Sequence, residues 1–353
     1  MRVIERPTAL LWEDVVSRSR YSTFFHTPTW AQIVMGAYPE FQIATKGFAL
    51  DDGVVAIVPL VATTERNRYF RWCESMFPGG YGGAVAQRIL TREEVRLVYE
   101  RLPDSRTAYL HVMGNPFSGQ ELPPSYSRSP ECTHVLNLAE GFEAVFRSFS
   151  QGHRHKARRA LRAGVTINAA ETEEEYWVYY HEVYADTLRR WGDATLIRFP
   201  YSLFEQIYRH RTDRIKLWLA RMNGRIVAGN VVFYHQGIVS YWHGAMLRSA
   251  SRSDPTTLLQ TEIIRDACVR GDRWFDFGPS GGLKGVEEFK EGFRAERAFF
   301  QSFTWQENNL YRAYRNLRRV GTSREGGSSI DAYAPHDRPS IREGGADTSP
   351  SLP

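Results

Sequence analysis

Hydrophobic and polar positions alternate along the chain in two rhythms, and their order repeats. In the first part, the run 29–37 has helical spacing and is opened by Thr27-Pro28, a capping residue followed by the first-turn proline. The segments 41–50 and 54–63 are rich in β-branched and aromatic residues and flank Asp51-Asp52-Gly53, which predicts a hairpin of two continuous strands. The Gly-rich stretch FPGGYGGAVA (77–86) follows, then a helix over 91–102 in which Thr91 and Glu94 have capping-box spacing. Strands are predicted at 107–114 and 133–138.

The second part opens on helices: 143–164, with a break near Gly152, then 172–191 and 201–210. Three strands follow in quick succession, IKLWLARM, RIVAGNVVFYH and GIVSYWHGAM, joined by turns at Asn223-Gly224 and Gln236-Gly237. Pro255 starts a helix with apolar residues at 258, 259, 263, 264 and 267, and Gly271 is placed to end it. WFDFG (274–278) and AFFQSFTW (298–305) read as strands and 308–319 as a closing helix. The order is α+β, with mixed, largely antiparallel sheets flanked by helices, and the first half echoes the second. Domains are expected over 1–140 and 141–320, followed by a tail over 321–353 too poor in large apolar residues to fold.

Composition narrows the function classes. A chain of 353 residues exceeds the size at which one core stops growing, and 42% hydrophobic residues can fill two. No run reaches the ~18 apolar residues of a membrane helix, and Glu5, Glu13 and Asp14 break up any secretory leader. Three scattered cysteines, Cys73, Cys132 and Cys268, suggest reduced thiols and a cytoplasmic setting. A net charge of +5 permits an anionic partner: a phosphate-bearing substrate, RNA or an acidic membrane surface met peripherally.

Several motifs carry candidate chemistry. Arg154, Lys156, Arg158, Arg159 and Arg162 crowd one helix whose apolar stripe is expected at Ala157, Ala160, Leu161 and Gly164. Such clustered cations suit phosphate oxygens, or simply form a solvated face. HRH (153–155) lacks the further ligands of a metal site. GGYGG, including Tyr81 and Gly82, lets backbone approach a ligand and with Trp30 can line an acceptor groove; turn chemistry explains its glycines equally well.

Four stretches, FFHTPTWAQIV (24–34), FPGGYGGAVA, RHKARRALRAGV (154–165) and LLQTEIIRDACVRGDRWFDFG…GVEEFKEGFRAE (258–296), resemble the Fem-type branch of the GNAT acyltransferase superfamily. That branch includes peptidoglycan cross-bridge aminoacyltransferases and acetyltransferases of envelope and polysaccharide operons. The resemblance implies two tandem GNAT-like domains, no metal or cofactor, and transfer of an acyl or aminoacyl group to an amine. It places Lys290 of FKEGF at the reaction centre, facing the developing oxyanion. It puts the activated donor at the start of the helix after Asp254, near Arg252, Thr256 and Thr257, where free N–H groups suit phosphate. Acetyl-CoA enzymes carry a Gly-rich loop there; RSASRSDPTT has no glycine, which favours aminoacyl-tRNA as donor. His243, beside the bulge a GNAT strand carries, is a candidate base. Asp276 either shares that cleft or pairs with Arg273 or Arg294. The acceptor is expected to be an amine of an envelope precursor or peptide-like metabolite. The alternatives are acyl-CoA-dependent acetylation of an amino sugar or polysaccharide, and a non-catalytic protein binding RNA or phosphoglycan.

Overall fold

The meander of the second half is built as its turns require. Ile215–Met222, Arg225–His235 and Ile238–Met246 pair antiparallel in succession. Both connecting turns place two consecutive residues at positive φ, Asn223 and Gly224 at 51° and 76° and Gln236 and Gly237 at 47° and 75°. That is the primed turn whose twist matches the flanking strands. After the meander the helix Pro255–Arg270 crosses over, Gly271 ends it at φ 80°, and Trp274–Asp276 returns parallel to Ile238–Ser240. The computed structural model describes residues 1–63, 70–75, 79–192 and 197–306. The closing helix expected over 308–319, the expected tail and residues 77 and 78 of the Gly-rich stretch lie outside the described residues.

The first half repeats this order. A hairpin leads antiparallel into Arg71–Ser75, the helix Arg92–Arg101 crosses over, and Thr107–Met113 lies parallel to Arg71–Ser75. Thr91 and Glu94 form the capping box at that helix start. Each half then ends in a strand that pairs with the other half. Ser127–Asn137, from the first, lies against Trp274–Asp276, and Glu296–Trp305, from the second, lies against Thr107–Met113. These two strands pair antiparallel with each other from Glu296↔Val135 to Thr304↔Ser127, closing one 11-stranded sheet. The α+β class and the tandem halves are therefore as the sequence suggests, with the exchanged strands as an addition.

Several elements differ from expectation. The hairpin strands are each broken in two: Phe41–Ile43 pairs with Val61–Thr63 in the large sheet, and Lys46–Ala49 with Val55–Val58 in a separate 4-stranded sheet. Pro59 has no N–H to give a ladder, and at the kink the Thr45 hydroxyl accepts from Leu60 N instead, at 3.2 Å. The first long helix breaks at Phe149-Ser150 rather than Gly152, because Ser150 Oγ caps His153 N. The helix over 173–191 is continuous but takes one π turn, Tyr179–Tyr184.

Aromatic packing joins the halves. Phe24, Phe25 and Trp30 from the first half meet Phe233 and Trp242 of the meander, with Phe24 stacked on Phe233 at 4.6 Å and Trp30 against Phe233 at 5.3 Å and Trp242 at 5.8 Å. Trp30, expected beside a groove, is fully enclosed in this cluster. Truncating it empties a well-packed site, so Trp30→Ala should lower the unfolding free energy by about 3–5 kcal/mol, read as an earlier denaturant midpoint.

Candidate active site

Parallel pairing between the third meander strand and Trp274–Asp276 stops at Ser240↔Asp276. Past that point the first strand bulges: Val232 pairs with Tyr241 but Val231 with His243, so Trp242 is the extra residue. The second strand ends, and Gly278 follows at φ 68° with its Cα close to Tyr241 O, where a side chain would press. The sheet opens here, between two strands in its middle.

Asp276 stands at the opening and is almost wholly buried. Its Oδ1 accepts from Thr133 Oγ1 at 2.6 Å and from Gly278 N at 3.0 Å. Neither Arg273 nor Arg294 pairs with it among the described residues; the arginine nearest in sequence, Arg273, lies over the Trp274 ring. Burial pushes the Asp276 carboxyl up, against the pull of its hydrogen bonds and of Lys290. Tyr81, also buried, turns its hydroxyl towards Asp276 and Thr133 without completing a hydrogen bond. Burial and the Asp276 charge raise its ionisation well above the ordinary value.

Lys290 is 2% exposed, and its Nζ donates to Gly278 O at 2.6 Å. Burial lowers its pKa from 10.5 to about 8, while Asp276 works the other way. It sits in the helix Lys284–Glu291, and Gly292 behind it is needed: a Cβ there would lie 2.0 Å from His153 Cε1. Ser150 N also donates to Gly292 O at 2.9 Å. The FKEGF turn is thereby fastened to the start of the basic helix, with His153 wedged against Phe289 and Phe293.

His243 lies elsewhere, on the far side of the bulge. Its Nδ1 is 2.8 Å from Tyr179 Oη, and Tyr184, Phe204 and Phe199 enclose the ring. Tyr179 Oη also donates to Gly229 O, which leaves Nδ1–H to donate to the tyrosine and keeps the lone pair on Nε2. Burial lowers the imidazole to about 3, so it is neutral at physiological pH and a weak base.

The basic helix Gln151–Arg162 packs beside the helix Pro255–Arg270. It buries His153, Ala157 and Ala160, while Leu161, expected in that stripe, is 65% exposed. Arg154 is turned back, donating to Arg147 O at 2.6 Å and to Phe149 O across the helix break. Arg159 pairs with Asp254, and Lys156, Arg158 and Arg162 face solvent. Asp254 is at the cap position with φ 49°, yet its side chain caps no helix N–H. Its own backbone carbonyl takes Thr257 N at 3.2 Å. Thr257 is buried, and Arg252 is exposed on the 3₁₀ turn Arg248–Ser253 before the helix. Gly82 is held at both ends, its N–H on Met113 O and its carbonyl facing His26 Nε2 at 3.1 Å. Sequence reasoning missed Thr133 and Ser240 and weighed His153 only as a metal ligand; their neighbourhood in space is what marks them.

Residues 147–291 match the model of the acetyltransferase (GNAT) domain family. The sequence has no match among curated proteins. Among solved structures the fold is that of FemX, with a TM-score of 0.67 at 15% identity over 89% of this chain and 99% of that one. The C-terminal domain of an assigned lysylphosphatidylglycerol synthetase from Agrobacterium fabrum follows, at 0.53 and 12%, over 90% and 98%. A protein of unknown function from Bacteroides thetaiotaomicron gives 0.54 and 9%, over 86% and 99%. The matched stretch contains Lys290, Asp276 and His243, and the splayed strands lie within it, while Thr133 and Tyr81 reach in from the first half. Among the described residues no helix is long and apolar enough to cross a membrane.

The Lys290 pKa has a consequence for stability. Between pH 8 and 10.5 the unfolded chain binds this proton and the folded chain does not, so folding grows more favourable as pH rises through that range. The melting temperature of the wild type, compared with Lys290→Met, should improve from about pH 8 towards pH 10. A constant difference across that range would contradict a depressed lysine.

Proposed function

We propose that the protein transfers an aminoacyl group from aminoacyl-tRNA to an amine of a cell-envelope precursor or peptide-like metabolite. The reading rests on the end of the helix Pro255–Arg270. A pyrophosphate donor such as acyl-CoA needs the positive N-terminus of this helix. Here Asp254 puts its own carboxylate there, paired with Arg159, and the preceding turn spends its amides internally, Asp254 N on Ser251 O and Ala250 N on Leu247 O. A pyrophosphate drawn to that end would face the charge of the Asp254 carboxylate. An ester-linked donor whose phosphates lie farther out suits the exposed Lys156, Arg158, Arg162 and Arg252 better.

Transfer would be direct. The amine attacks the ester carbonyl carbon, and the oxyanion that forms faces the Lys290 ammonium inside a low-dielectric sheet, where one fixed charge counts for more than in water. The amine and ester are held together at the strand opening, which supplies orientation. His243, neutral and enclosed, supports the shape of the bulge rather than accepting a proton.

The experiment is a thermal shift with mixed charged tRNA at low salt and, separately, with acetyl-CoA. A ligand at 100 times its Kd adds about 2.7 kcal/mol. Charged tRNA should raise the midpoint, with the shift fading as salt rises, and acetyl-CoA should not. A shift with acetyl-CoA alone would replace this reading by acyl-CoA-dependent N-acetylation, which the description of the matched family favours. Lys290→Met should keep tRNA binding and lose transfer by about 10²–10³-fold. Binding of tRNA with no transfer by the wild type would leave a non-catalytic RNA-binding protein.

A further inference from the structure

The opening in the sheet holds more polar groups than its hydrogen bonds account for. Asp276 and Ser240 are directly paired across the parallel ladder, so their side chains share a face. Thr133 reaches the same face, since it hydrogen-bonds the Asp276 carboxylate. Tyr81 turns its hydroxyl onto this group from the Gly-rich loop. Tyr81 and Ser240 are both 2% exposed, and neither hydroxyl has a hydrogen-bond partner among the described residues. Two unpartnered hydroxyls are costly to bury. Here they stand beside a buried carboxylate that no ion pair neutralises among the described residues. Lys290 gives its Nζ to Gly278 O.

A cation that donates several hydrogen bonds would satisfy both hydroxyls and the carboxylate together. A divalent metal is a poor match, because among the described residues no group of three or more His, Cys, Asp or Glu side chains gathers here. A primary ammonium is a good one: it carries a single charge and three N–H donors. Accepting the transferase reading above, we propose that Asp276, Tyr81 and Ser240 form the subsite that captures the acceptor as a primary ammonium ion, and that Asp276 is the group that deprotonates it. Tyr81 Oη and Ser240 Oγ accept two N–H bonds, and the carboxylate the third. This narrows the acceptor to a primary alkylamine, such as a lysine-like side chain or a free amino terminus, and disfavours hydroxyl acceptors.

The step balances. One ammonium proton passes to Asp276 and from there to solvent. The nitrogen lone pair forms the new N–C bond, and the carbonyl electrons move onto oxygen beside Lys290. Collapse restores the carbonyl and breaks the ester C–O bond. The leaving oxygen takes a second nitrogen proton, and the third stays on the amide.

The test uses the wild-type protein without any donor. Its melting temperature is measured at pH 7 in methylammonium chloride and in tetramethylammonium chloride at equal ionic strength. Methylammonium should raise the midpoint and tetramethylammonium, which has no N–H, should not. Tyr81→Phe and Ser240→Ala each remove one oxygen. Each should weaken the methylammonium shift at least tenfold in concentration while raising the midpoint of the free protein. Asp276→Asn should abolish the shift, with near-UV circular dichroism as the check on folding. Equal shifts from both salts, or a methylammonium shift unchanged in both Tyr81→Phe and Ser240→Ala, would overturn the subsite. Because no donor is present, failure of the transferase reading shows separately, as methylammonium capture without transfer from charged tRNA. Conversely, transfer with an unchanged acceptor KM in Tyr81→Phe would sink the subsite alone.

Discussion

The antiparallel pairing of Ser127–Asn137 with Glu296–Trp305 is the constraint on which the rest of the molecule depends. Each half ends in a strand that it gives to the other, so neither sheet is complete alone. The same exchange builds the site. Thr133 reaches Asp276 only because the first half's last strand lies against Trp274–Asp276. The backbone follows suit, as Phe277 N donates to His134 O at 2.9 Å where the second strand leaves the sheet. A register slip of one residue in this pair would turn Thr133 to the opposite face and strip the carboxylate of its strongest partner.

That constraint also explains how two charges can sit in the middle of a sheet. A buried carboxylate and a buried ammonium are each expensive to desolvate. The structure meets the cost with short local bonds, Thr133 and Gly278 to the acid and the Gly278 carbonyl to the lysine. Gly278 serves both, donating its N–H to one and its carbonyl to the other. Its positive φ lets the chain turn out of the ladder there. The lowered lysine and raised aspartate show that the compensation is incomplete. Unspent interaction energy of this kind is what a charged substrate or a developing charge can use.

How much of this was legible in the sequence follows from which forces are local. Turns with two left-handed residues, the Thr91–Glu94 box and the Gly271 stop are set by neighbours in sequence, and the structure has them where the residues put them. The meander, crossover helix and return strand followed from these. Strand exchange left no such mark, because alternation says which face a residue takes and not which strand lies beside it. Trp30 shows the same limit: a tryptophan after a capped helix start reads equally as core or groove until Phe233 and Trp242 are placed against it. Lys290, Asp276 and Tyr81 stood out by motif, but Thr133 and Ser240 acquire meaning only through the two pairings that set their strands beside Asp276. Of the basic helix, the charge was plain and its use was not, since Arg154 and Arg159 are taken up by Phe149 and Asp254.

The basic helix has a mechanical role that its charge hides. At one side Arg159 holds Asp254 at the start of the helix Pro255–Arg270, and at its first turn His153 fills the notch left by Gly292, next to Lys290. Helices are stiff over this length, so a phosphate that drew Arg159 away from Asp254 would load the same rigid body that seats the FKEGF turn. The two ends of the proposed reaction, donor phosphate and oxyanion, are therefore joined by one helix of twelve residues and two contacts. One contact is an ion pair at a helix end, made by a half-exposed arginine, and the other is a ring against a glycine with no room for a methyl group. The steric contact leaves no freedom at Gly292, so the seat of the FKEGF turn is set by His153 and by Ser150 N on Gly292 O.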